Sequence, residues 1–175
     1  APMGVGPVGR TGRDQLAVLR DGLLPQLQRA PVDDRPVVVC CGQASVALRT
    51  RLVAEGARLH EVTCVGNLHT SVIELLIRQG APGVLIAGCP PRDCVGREGP
   101  KWLEQRLYHE REAELQPRVD RRRVRLVTAA IGLEDATLAE LAEFRRALAA
   151  LGAPAAESDI DLRDLCEPAD EEVGA

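Results

Sequence analysis

Two uninterrupted apolar runs, Val37-Val38-Val39 and Val84-Leu85-Ile86-Ala87, stand out from an otherwise mixed chain. Charge-free runs closed off by Gly or Pro predict strands buried on both faces, as at the centre of a parallel sheet. Residues 58–65 and 123–129 mix apolar and polar positions and predict two further strands. Apolar residues recur at helical spacing over 44–55, 70–79, 101–115 and 133–151, with Gly56, Gly80 and Gly152 placed to end three of these helices. In the 101–115 segment the face is made by Trp102, Leu103, Leu107 and Tyr108. Strands alternating with helices of this length predict an α/β fold, an open parallel sheet of about four strands, flavodoxin/Rossmann-like, with helices on both faces.

The pattern divides the chain into three parts. Residues 1–34 form an N-terminal arm, rich in Gly and Pro up to residue 13. It continues into a possible helix over 14–28, capped by Asp14, with Leu16, Leu19, Leu23 and Leu24 on one stripe and Gly22 and Pro25 interrupting it. Residues 35–152 are the α/β domain, and 153–175 are an acidic, proline-broken tail that holds Cys166.

Charge changes this picture little. A net charge of -4 with acids and arginines interspersed excludes a nucleic-acid surface, and the Arg121 to Arg123 triplet reads as a solvated start to a strand. Aromatics at 2 percent leave no material for base stacking. No apolar run approaches the ~20 residues of a membrane span, and the first nine residues lack the pattern of a signal peptide. The expected location is the cytoplasm, free or peripheral to a membrane complex.

Six cysteines change it a great deal. In a reducing compartment they point to a metal or redox role rather than to disulfides. The strand assignment places Cys40 or Cys41, Cys64 and Cys89 at the carboxyl ends of three strands, with Cys94 in the loop just beyond. Those ends lie side by side on one edge of an open parallel sheet, where such folds bind ligands. The first strand-to-helix turn, Cys40-Cys41-Gly42-Gln43-Ala44, carries no Gly-x-Gly-x-x-Gly, which argues against a dinucleotide. Converging thiolates suit zinc or an iron-sulfur cluster. The Cys-x4-Cys of Cys89 and Cys94 tilts the choice to the cluster, because zinc ribbons use paired Cys-x2-Cys knuckles. Cys166 is expected to be a small structural residue, His69 the start of a helix rather than a ligand, and His60 and His109 surface residues.

The segments Cys64-Val-Gly, Gly80-Ala-Pro-Gly-Val-Leu-Ile-Ala-Gly-Cys-Pro-Pro-Arg-Asp-Cys94 and Trp102-Leu-Glu-Gln-Arg resemble the iron-sulfur delta subunit of methyl-viologen-reducing hydrogenase. The resemblance covers about residues 37–151. It implies a 2Fe-2S cluster held by Cys64, Cys89 and Cys94, with Cys40 or Cys41 as fourth ligand and Cys40 preferred. It also implies an electron-transfer subunit of an oxidoreductase complex more than a stand-alone enzyme. The implied partners are a heterodisulfide-reductase-like flavoprotein and a hydrogenase or dehydrogenase module.

Sulfur hydrogen bonds are expected from the backbone amides of Gly42, Gly66, Val95 and Gly96, and Arg92 and Arg97 are candidate cations beside the site. The rival readings are a structural zinc module with four cysteines and a thiol-based redox or sulfur-transfer protein using Cys89 and Cys94.

Overall fold

The computed structural model describes residues 8–9, 11–29, 34–109 and 114–154. Cys166 and the tail beyond residue 154 lie outside these, as does most of the first ten residues.

The two charge-free runs become the central strands, β1 (Val37–Cys41) and β3 (Val84–Gly88), buried along their whole length. The mixed segments become the flanking strands β2 (Arg58–Val62) and β4 (Val124–Thr128). All pairings are parallel and the order is β2-β1-β3-β4. The chain therefore winds outward from β1 to β2 and then returns past β1 to β3, and the winding direction reverses between β1 and β3. In open α/β sheets, the crevice beyond the strand ends at this reversal is where ligands bind.

Helices α3 (Val46–Ala54) and α6 (Glu134–Leu151) cover one face of the sheet, around Val38, Cys40, Leu85 and Ala87. Phe144, Leu48 and Leu52 fill the space between them without exposure. The other face, with Val37, Val39, Cys41, Val84 and Ile86, is covered by α4 (Thr70–Arg78), α5 (Gly99–Tyr108) and the N-terminal helix. A period-2 strand buried on both sides sends alternate residues to the two cores. Among the described residues, no helix is long and apolar enough to cross a membrane.

The N-terminal helix runs as α1 (Gly12–Val18), a π-helical turn (Leu19–Leu23) and α2 (Leu24–Arg29). Its cap is Thr11 and not Asp14: Thr11 Oγ1 accepts from the Asp14 amide (3.2 Å) while the Asp14 carboxylate accepts from the Thr11 amide (2.7 Å), a reciprocal capping box. Pro25 is tolerated because the helix widens just before it, with the Leu24 amide bonding Leu19 O, five residues back. Leu19, Leu23, Leu24 and Leu27 are buried as the stripe predicts.

Three expectations fail. His60 is buried, not on the surface: it sits beside Val39 on β2, and the π-helical turn packs over that strand. Arg123 is also buried. Its guanidinium donates to Pro82 O (2.9 Å) and Gly152 O (3.0 Å), so it satisfies carbonyls at the end of α6 instead of meeting solvent. Helix α5 ends at Tyr108 rather than at 115, and the Leu115 amide bonds back to Arg106 O (3.0 Å). A continued helix would carry Leu115 about 12 Å past Leu107 along the axis; turning back buries it.

The early stop leaves Tyr108 beside β4. Its hydroxyl donates to Val124 O (3.2 Å).

Candidate functional site: a thiol cleft at the sheet's carboxyl edge

Each thiol reaches the sheet edge by a different local device. Cys41 is the last residue of β1, and alternation turns it to the α4/α5 side. Cys89 follows β3 directly and is buried. Cys64 lies two residues past β2, in extended backbone, and caps a 3-10 turn over Val65–Asn67. Cys94 is held by tight turns in the 89–98 loop, where the Asp93 amide bonds Pro90 O (3.0 Å) and the Arg97 amide bonds Cys94 O (2.9 Å).

These four side chains line one cleft of about 330 Å³, together with Gly66, Gly96, Gly99 and Trp102. The thiols are near enough to act on one another: beyond burial, Cys94 and Cys41 both raise the pKa of Cys89 and of Cys64. Cys41 Sγ also lies 3.8 Å from Thr63 O. The set divides into an inner pair, Cys41 and Cys89, and an outer, partly exposed pair, Cys64 and Cys94. Burial pushes the Cys89 thiol up to about 12, and burial likewise raises Cys64, against a lowering from the Gly66 amide. Among the described residues, no group of three or more His, Cys, Asp or Glu side chains is placed to hold a metal ion.

Glycine makes the cleft possible. A Cβ on Gly99 would stand 2.6 Å from Cys64 Sγ, and one on Gly96 would stand 3.0 Å from the same sulfur. A Cβ on Gly66 would meet the Gly99 Cα at 2.5 Å. The amino end of α5 and the 65–67 turn are thus in backbone contact with Cys64 between them, which only residues without side chains allow. Because α5 starts at the cleft, its positive dipole end faces the sulfurs.

The preference for Cys40 does not survive. Cys40 points to the opposite face, into the core under α3 and α6, where burial lifts its thiol to about 11. Of the four residues whose amides were expected to serve sulfur, Gly66 lines the cleft in the turn that Cys64 caps, whereas the Gly42 amide is committed to Val62 O (2.7 Å) in the extension of the sheet. Gly96 abuts the Cys64 sulfur, and Val95 forms an exposed rim. Arg92 and Arg97 are exposed and neither lines the cleft. His69 caps α4 through Nδ1, which accepts from the Ser71 amide (3.2 Å).

Sequence reading missed Gly99, Trp102 and Arg106 as parts of the site. The pair Gly99-Pro100 signals only a turn, and nothing local says that the turn lies against Cys64. Arg106 donates from α5 to Gly66 O (2.8 Å) and Leu68 O (3.3 Å), binding the Cys64 turn to the helix.

The family described as methyl-viologen-reducing hydrogenase, delta subunit, matches residues 38–152. No individually curated protein matches the chain. The matched span begins in β1 and ends just past α6, so it contains all four strands, the cleft and the five described cysteines. With match and cleft coinciding over most of its length, the chain belongs to the delta-subunit family of methyl-viologen-reducing hydrogenase.

Proposed function

We propose that this chain is an electron-transfer subunit of a larger oxidoreductase complex, holding a 2Fe-2S cluster through Cys41, Cys64, Cys89 and Cys94. The observation that carries this reading is the gathering of four thiols from three strand ends into one cleft, with glycines pressed against a sulfur. The donor set fits: four soft sulfur ligands in two pairs match the needs of two irons, and thiolates select iron-sulfur clusters or zinc over hard cations. When bound, the cluster supplies one-electron redox chemistry.

The chain's own residues do the rest. Cys41 and Cys89 anchor the inner side in the core, where burial excludes water. Against the rise from burial, the Gly66 amide lowers the Cys64 pKa, and the α5 dipole favours negative charge beside that sulfur; both stabilise added electrons. Trp102 and Val95 form the outer wall between the cleft and solvent. Family membership supports a hydrogenase as partner, as the family's name describes; our reading adds a dehydrogenase module as the alternative donor or acceptor, a heterodisulfide-reductase-like flavoprotein on the other side, and a cytoplasmic setting.

Anaerobic loading of the full chain with iron and sulfide tests this. About two irons per chain and a visible chromophore bleached by dithionite are expected. Cys41→Ser should lose both, whereas Cys40→Ala should keep both and cost only about 1 kcal/mol of stability. A colourless wild-type protein that takes up one zinc in place of iron sinks the reading.

A further inference from the structure

Arg92 and Arg97 are the cations that sequence proximity offers to the thiols, and neither lines the cleft. A cation that binds the Cys64 turn, though it too stands outside the cleft lining, arrives from the last turn of α5. Arg106, partly buried, places its Nη2 at 2.8 Å from Gly66 O and 3.3 Å from Leu68 O. That same Gly66 lies in the turn that Cys64 caps, two residues from it, and Gly99 packed against it brings main chain to the Cys64 sulfur. The guanidinium therefore grips the backbone of the turn that carries this thiol. Gly66 cannot gain a side chain, because a Cβ there would strike the Gly99 Cα at 2.5 Å.

From this geometry we infer that Arg106 is the positioning residue of the outer thiol Cys64: it fixes the 65–67 turn that Cys64 caps, and its charge raises the electrostatic potential there. The inference rests on the cluster reading for its redox part only. Two effects act in the same direction. A fixed cation nearby favours whichever redox state carries more negative charge, which is the reduced one, and its field is weakly screened where it is partly buried. A clamped turn does likewise, since it keeps backbone amides beside the Cys64 sulfur, and sulfur hydrogen bonds raise cluster potentials. Arg106 touches neither the sulfur nor any reacting atom, so its influence passes through Gly66. Lysine would keep the charge but carries it on a flexible stem without the planar, pre-organised guanidinium whose Nη2 serves both the Gly66 and Leu68 carbonyls.

The experiment compares wild type, Arg106→Gln and Arg106→Lys as full-length protein, in two arms. In the cluster-loaded arm, dye-equilibrated redox titration follows the visible chromophore. At fixed ambient potential, the ratio of reduced to oxidised Arg106→Gln protein should fall about three- to tenfold, tenfold being 59 mV for one electron. Arg106→Lys should recover part of that loss.

In the second arm, hydrogen exchange is read on the metal-free protein. The Asn67 and Leu68 amides, which bond Cys64 O and Val65 O, should exchange faster in Arg106→Gln, while β1 and β3 stay protected. If wild type loads no cluster, the proposed function fails, and the exchange arm alone decides the positioning role. If the cluster loads and Arg106→Gln keeps the wild-type midpoint and exchange pattern, the inference is overturned. Should Arg106→Gln not fold, Arg106→Lys carries both readouts; an unchanged midpoint with unchanged exchange in that variant overturns it equally.

Discussion

Cys40 and Cys41 are neighbours in sequence, and the two sides of the sheet they enter are built by different rules. Under α3 and α6, order comes from volume: Cys40, Leu48, Leu85 and Phe144 fill a dry space with no exposure, and a cysteine there is a small apolar residue. On the α4/α5 side, order at the sheet edge comes from backbone: Gly66, Gly96 and Gly99 let main chain close on a sulfur, and a cysteine there keeps its chemistry. One residue of register separates a structural thiol from a candidate ligand. The sheet's alternation makes the distinction.

Three changes can break or sharpen that contrast. The largest effect is expected on the volume-built side. Phe144→Ala should cost about 3–5 kcal/mol in denaturant unfolding and leave iron uptake intact in whatever fraction folds. Iron uptake that vanished in the folded fraction would show that the two faces are not independent.

Next comes Gly66→Ala on the backbone-built side. Its Cβ would meet main chain, which cannot swing away as a side-chain tip can, so about 1–3 kcal/mol of destabilisation is expected together with loss of iron uptake. A Gly66→Ala protein as stable as wild type would mean that the 65–67 turn and α5 can separate at little cost.

The smallest effect concerns His60, which lies beneath the N-terminal helix. Burial alone holds its imidazole below the ordinary 6.5, and its Nε2 has no hydrogen-bond partner. A depressed folded-state pKa gives stability that is full above about pH 6.5, the unfolded value, and is lost as the pH falls through the folded value. Melting curves between pH 7.5 and about 5 should therefore slope downward in wild type and flatten in His60→Leu. Parallel slopes in the two proteins would remove His60 as the cause.

What could be read from the chain, and what could not, follows the same division. The four strands, their parallel alternation with helices and the convergence of thiols on one edge rest on local pattern, and the runs at 37–39 and 84–87 carry it clearly. The Gly-Cys-x4-Cys after β3 marks both an inner and an outer thiol. The choice between Cys40 and Cys41 is a matter of register, which depends on which side of β1 each helix packs. No residue in the 40–44 turn reports that.

Arg123 and His60 were misread because tertiary cover has no local period. Polar residues beside strands look solvated until a helix end or an N-terminal arm is laid over them. Gly99 and Arg106 were missed for a related reason: their roles are contacts with Gly66, more than thirty positions away in the chain.

The hydroxyl of Tyr108 donates to Val124 O, a carbonyl that a residue of a fifth parallel strand opposite Arg125 would otherwise engage. One phenol therefore occupies part of a rim that would otherwise offer a row of unpaired amides and carbonyls. A neighbouring chain cannot extend the sheet at that rim without first evicting the ring. A chain approaching that rim meets a side chain before it meets the strand, so the sheet can remain open at β4 without leaving that carbonyl exposed.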